Sequence, residues 1–195
     1  MKKPPASLRL PKSSAAVFDP FNNRLSRDIR NTLAATYVEA LQKSDPSKYQ
    51  HRAELWLAKK LKRDHAGYIQ DRLKRYDRAF NQIVENCIQD AKLQALIIWN
   101  HQLFFEVHEL LERVWQQTAG NEFQALKGLI QAAGVYVHLE YNHQAAAEKL
   151  AAKSSDRIRK YGADLNFIAN LDTLLDKLKT PEAAPPLLTN PELQI

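Results

Sequence analysis

The chain has 195 residues, 45% of them hydrophobic and 26% charged, with a formal net charge of +6. That length suits one domain, and the apolar share is enough for a real core, which excludes a chain disordered throughout. The lone cysteine, Cys87, excludes an intrachain disulfide and a cysteine-based zinc cluster, and reads as a small buried hydrophobe in a reducing compartment.

Pro4, Pro5, Pro11 and Pro20 punctuate residues 1–20, which read as a flexible N-terminal tail with no apolar run of signal-peptide length. No stretch approaches the apolar length needed to cross a bilayer, so a cytoplasmic protein with no membrane contact is expected. Residues 21–90 form a basic helical part. Ile29, Leu33, Tyr37, Val38 and Leu41 line one face of a first helix. Asp45 and Pro46 open a second, as cap and first-turn proline, with Tyr49, Ala53, Trp56, Leu57 and Leu61 on its face. Ile69, Leu73, Tyr76, Phe80, Ile83, Val84 and Cys87 mark a third. From Arg52 to Arg78 nine basic residues stand against four acidic ones, nearly the whole excess of the chain.

Residues 91–180 read as the helical core, with Asp90 at the break before it. A fourth stripe runs unbroken from Leu93 through Asn100, Phe104, Val107 and Leu111 to Trp115. Thr118 to Asn121 form a turn, and a fifth helix spans about 122–141. A sixth spans about 142–161, closed by Gly162, and Ile168, Leu171, Leu175 and Leu178 give a seventh. Pro181, Pro185, Pro186 and Pro191 lie in 181–195, an extended C-terminal tail. The fold class is all-α, an irregular multi-helical bundle of about seven helices with a central antiparallel helical hairpin. There is no alternating strand pattern, phosphate-binding glycine loop or repeat.

At about 100° per residue, His101, His108, Glu112 and Trp115 fall on one polar strip of the fourth helix. Lys127, Gln131, His138 and Asn142 fall on one strip of the fifth. An antiparallel hairpin then sets Glu112 against Lys127, His108 against Gln131 and His101 against His138. Gly128 and Gly134 leave room for the backbones to approach.

The run IIWNHQLFFEVHELLERVW, with KGLIQAAGVYVH and YNHQAAAEKL after it, resembles the domain of unknown function 309 family over roughly 97–152. The matching positions are Asn100, Glu106, His108, Glu109, Leu111, Glu112, Trp115, Gly128, Leu129, Ile130, Gln131, His138 and Asn142. The chain departs from the family's pattern at Gln102, where glycine is usual, at Val107, where alanine is, and at Lys127, where glutamine is. The resemblance implies a compact helical fold and no particular activity.

The expected polar seam therefore comprises His108, Glu109, Glu112, Trp115, Lys127, Gln131, His138 and Asn142. Its leading reading is a hydrogen-bonded network that fixes helix register in a non-enzymatic binding or interaction protein, with a protein partner or homo-oligomer. In that network Glu112 pairs with Lys127, His108 with Gln131 or Glu112, and His138 with a backbone carbonyl. The alternative is a small metal- or ligand-dependent hydrolase in which His108, Glu112 and His138 hold zinc, manganese or iron, since imidazole and carboxylate suit those ions and open positions activate water. Glu109 and Arg113, four apart, make a surface pair. A third reading is nucleic-acid binding through the basic residues of 52–78, with Tyr68 and Tyr76 for stacking. Trp56, Trp99 and Trp115 read as core or interface anchors, and His51, His65 and His143 as surface residues.

Overall fold

A computed structural model describes residues 18–191 and 193; the N-terminal tail expected over 1–20 lies almost wholly outside the described residues. Eight α-helices and one short 3-10 turn follow in the order α1 Arg24–Lys43, α2 Ser47–Leu57, α3 Arg63–Glu85, α4 Ala91–Asn100, α5 Phe104–Trp115, α6 Gly120–Glu140, α7 Gln144–Tyr161 and α8 Leu171–Lys179. The fold is the all-α multi-helical bundle expected, with no strand among the described residues. No helix among them is long and apolar enough to cross a membrane.

The helices start and stop where local chemistry dictates. The Asn23 carboxamide accepts the Ser26 amide, and the Asp90 carboxylate accepts those of Lys92 and Leu93, each satisfying helix-start donors that lack an intrahelical partner. Gly120 sits at φ 64, a left-handed turn that a side chain would resist, and α6 starts from it. The Asp45 side chain accepts the Ser47 amide, so it helps open α2 although the cap position itself is Pro46.

The expected fourth helix is two helices. Asn100 ends α4, and the chain turns through His101, Gln102 and Leu103 before α5 begins, with Gln102 at φ 57. No proline or glycine interrupts residues 100–103, which is why the apolar periodicity reads straight through. A glycine at 102 would take this left-handed corner without the strain that a Cβ brings. Splitting this element raises the helix count from seven to eight and turns His101 away from the strip of His108.

α6 is the central helix, packed against both α5 and α7, while α1 packs against α2 and α5. Gly128 and Gly134 serve α7 rather than α5: a Cβ at Gly128 would lie 3.0 Å from Ile158 Cγ1, and one at Gly134 would lie 2.8 Å from Leu150 Cδ2. Ser154 donates to the Gly128 carbonyl at 2.8 Å across that close approach. Gly162 follows α7 as expected, but at φ −63 rather than in the left-handed region.

The C-terminal segment, expected to hang free, is docked. Trp99 Nε1 donates to the Pro186 carbonyl at 2.8 Å, Asn100 brackets the Leu188 backbone from both sides, and Leu188 is fully buried. Prolines keep it extended, and the Trp99 indole and the Asn100 and Asn170 side-chain amides supply partners for its backbone. Cys87 is exposed at φ 53 beyond α3, not buried, because the helix unwinds at Glu85. His65 also departs from expectation, being 2% exposed with Nε2 at 3.2 Å from Ser26 Oγ.

Candidate functional site

α5 and α6 carry two different polar regions, one buried and one open. The buried region centres on Glu106, which is fully enclosed. The Tyr76 hydroxyl donates to its Oε1 at 2.6 Å, and Arg72 Nη1 stands 3.9 Å from its Oε2. Arg72 also donates to both carboxylate oxygens of Glu140, at 3.1 and 3.0 Å, and to the Gln102 carbonyl at 3.2 Å. Burial works against the Arg72 charge, yet the fields of Tyr68, Glu140 and Glu106 outweigh it and hold its pKa well above the usual value. Burial, then the Glu106 charge, raises the Tyr76 phenol, which stays protonated and so remains a donor.

This cluster corrects two expectations. Arg72, counted among the basic residues of 52–78 offered to nucleic acid, lies in the interior at 3% exposure, and Glu106, absent from the expected seam, is buried beside it. Both were readable: Arg72 lies three residues after Ile69 and four before Tyr76, and Glu106 four before Leu110, so opposite charges occupy the apolar stripes of facing helices.

The open region is a cavity of about 260 Å³. Phe105, Ile130, Val137 and Leu150 give it apolar walls, and Phe21, from the segment before α1, stacks on the His138 ring with centroids 4.6 Å apart. Four polar side chains reach it: Arg30 from α1, His108 from α5, and Gln131 and His138 from α6. The expected juxtaposition of His108 with Gln131 is therefore present, and His138 joins them. His101 does not; its Nε2 lies 2.8 Å from Gln82 Oε1, on the far side of the Gln102 corner.

The hydrogen bonds expected to fix helix register are not formed among the described residues, although His108 Nδ1 comes within 3.9 Å of Glu112 Oε2. His108 Nδ1, Gln131 Oε1 and His138 Nδ1 are all buried atoms without a hydrogen-bond partner. Lys127 does not pair with Glu112; its ammonium lies over the rings of Trp115 and Phe123, at 5.4 and 5.8 Å from their centroids. Glutamine, usual at that position in the family, would forgo this cation–π contact. Trp115 stacks on Phe123 and leaves its own Nε1 buried without a partner. Asn142 is exposed at φ 59 in the α6–α7 turn, where asparagine tolerates the left-handed conformation, so its place is structural.

Arg30 is 9% exposed, with its guanidinium 3.8 Å from the Phe105 ring centroid and 5.7 Å from that of Phe21. Its Nε and Nη2 donate to the Asn31 side chain, and no carboxylate forms an ion pair with it among the described residues. Burial lowers the His138 pKa, and the charges of His143 and Arg30 add to that, so its ring is neutral at neutral pH.

At the rim of the cavity His108 Nδ1 stands 3.6 Å from Glu109 Oε1 and 3.9 Å from Glu112 Oε2. His108, Glu109 and Glu112 bring their ligand atoms within 4.8 Å of one another. Glu109 thus takes the place expected for His138 in this group, and the expected Glu109–Arg113 pair is not formed among the described residues, since Arg113 Nη1 donates to Gln42 Oε1 at 3.0 Å instead.

Residues 93–150, from α4 into α7, match the family model described as Domain of unknown function (DUF309), in agreement with the resemblance read from the sequence. No curated protein and no solved structure matches the chain. Phe21, Arg30 and Arg72 lie outside the matched span, so both the cavity and the buried cluster are completed by the N-terminal helices.

Proposed function

We propose that this chain is a cytoplasmic, non-enzymatic small-ligand-binding protein, and that the cavity between α1, α5, α6 and α7 is its binding site. The observation that carries this reading is the convergence of three buried polar atoms that make no hydrogen bond, Gln131 Oε1, His138 Nδ1 and His108 Nδ1, the last within ion-pair distance of Glu109, from residues that line one cavity. Each such atom costs roughly 1–3 kcal/mol in a protein interior. A largely apolar pocket with a few convergent polar groups is the usual form of a small-molecule site. The ligand that fits has a flat apolar body for Phe105 and Phe21, a donor for Gln131 and an acceptor for the Arg30 guanidinium. Benzamide meets all three needs. Titrated into the full chain, it is expected to shift the imidazole resonances of His108 and His138 in proton–carbon NMR spectra, and Gln131→Leu is expected to weaken that response. Unmoved imidazole resonances at millimolar benzamide and at millimolar levels of a panel of related aromatic amides and acids would defeat the reading.

The His108, Glu109 and Glu112 convergence favours a second reading, in which a divalent cation sits at the rim of the same cavity. Mixed imidazole and carboxylate donors suit zinc or manganese. Metal analysis of protein purified without chelators, beside Glu109→Gln, separates the two: near-stoichiometric metal lost in the variant supports the second reading, and absence after incubation with each ion removes it.

A further inference from the structure

A second cavity, of about 380 Å³, opens between the middle of α3 and the Gln102 corner, away from the site proposed above. Lys74, Arg75, Arg78, Asp71, His101 and Gln102 line it, so three permanent cations meet one acid. Asp71 is already committed to Arg75, with Oδ2 2.9 Å from Nε, and Arg75 Nη1 donates to the Gln102 carbonyl at 3.3 Å. Lys74 and Arg78 have no ion-pair partner among the described residues and are exposed. Burial, then the Arg78 charge, lowers the pKa of His101. The hollow therefore carries two uncompensated positive charges, and a concave wall of one sign concentrates the field on whatever enters it.

Guanidinium forks and a flexible ammonium are the donors that phosphate oxygens take best. Two sources of phosphate are open, a small polyphosphate and a nucleic-acid backbone, and the layout favours the first. The basic run of 52–78 is not one track, because Arg72 is withdrawn into the interior. Arg63 opens α3, about 16 Å from Lys74 at the helical rise of about 1.5 Å per residue, and Lys59, Lys60 and Lys62 precede it in the connection from α2. What remains at the corner is a compact hollow.

We propose that the α3 hollow binds the phosphate groups of a small polyphosphate anion, with Lys74 and Arg78 as its free donors and Arg75 held in place by Asp71 and Gln102. The test uses the full chain and inorganic pyrophosphate, followed by amide NMR and calorimetry. Saturable shifts at residues 74–78 and 101–102 are expected, with a dissociation constant on the order of 100 μM. Both substituted residues are exposed, so Lys74→Ser with Arg78→Ser is expected to keep the circular dichroism and melting of the wild type while weakening pyrophosphate by at least about tenfold. Lys59→Ser with Lys60→Ser, at the distant end, is expected to leave binding unchanged. No saturable shift up to about 5 mM pyrophosphate, or equal binding by the Lys74 and Arg78 double variant, overturns the proposal. A twelve-nucleotide single-stranded RNA that binds far more tightly, and that pyrophosphate does not displace, overturns the small-anion source in favour of a backbone.

Discussion

Glu106 and His108 are two residues apart on α5, yet they open onto opposite kinds of polar environment. Around Glu106, Tyr76 and Arg72 come forward from α3, and the enclosed charges have counter-charges within reach. Around His108 the neighbouring polar groups, Gln131 and His138, share a cavity but not a hydrogen bond. The first arrangement pairs opposite charges, although Arg72 Nε and Glu106 Oε2 make no hydrogen bond; the second brings polar groups to a cavity without joining them to one another. The buried hydrogen-bonded cluster joins α3, α5 and α6 through Arg72, Tyr76, Glu106 and Glu140, none of them a member of the seam expected from the sequence.

The largest effect that would sharpen this contrast comes from Arg72→Met. It strands Glu106 and Glu140 without their cation, and breaking a buried ion pair by removing one partner is strongly destabilising, by about 3–5 kcal/mol. Urea denaturation is expected to show a loss of that order. A loss under about 1 kcal/mol would mean the cluster is not the structural one.

Next comes Gly128→Ala. Its Cβ would meet Ile158 Cγ1 at 3.0 Å and Arg157 Cβ at 3.1 Å, atoms close to the α7 backbone that cannot swing aside. Overpacking of about 1–3 kcal/mol outweighs the roughly 1 kcal/mol that alanine gains over glycine in a helix, so a net fall in melting temperature is expected. Gln102→Gly should act in the opposite direction. It relieves a left-handed residue at φ 57, and a gain of about 0.5–1 kcal/mol is expected by urea denaturation, less the extra entropy of an unfolded glycine.

The smallest effect is that of pH. Burial leads in lowering the pKa values of His65, His101 and His138 below the ordinary histidine value of 6.5. The unfolded chain therefore binds protons before the folded one does. Stability from these groups is complete above pH 6.5 and is lost as pH falls from there through their folded values. Urea midpoints should decline from neutral pH into that window. In the triple variant with phenylalanine at 138 and glutamine at 65 and 101, the decline should flatten.

Much of the fold was legible because proline placement and apolar stripes are local signals. The Asp90 cap, the Gly120 turn and the face of α1 all follow from them. The α4–α5 corner was not, because Asn100, His101, Gln102 and Leu103 continue a helical pattern and nothing in their composition demands a left-handed residue. The pocket was half legible. Helical phase brings His108, Gln131 and His138 together, but Phe21 and Arg30 arrive from a part of the chain about eighty residues away, which no spacing rule can place. Lys127 was set against Glu112 by hairpin register, whereas its ammonium lies over the Trp115 and Phe123 rings.

The most direct test of the central claim is the unfolding free energy of Gln131→Leu, measured in urea without added ligand. If the polar seam of α5 and α6 is a binding site with unpartnered atoms, removing a buried, unsatisfied amide leaves stability unchanged or raises it by about 0.5–1 kcal/mol. A loss of about 1–2 kcal/mol would show that Gln131 is hydrogen-bonded in the folded protein and would return the seam to a structural role.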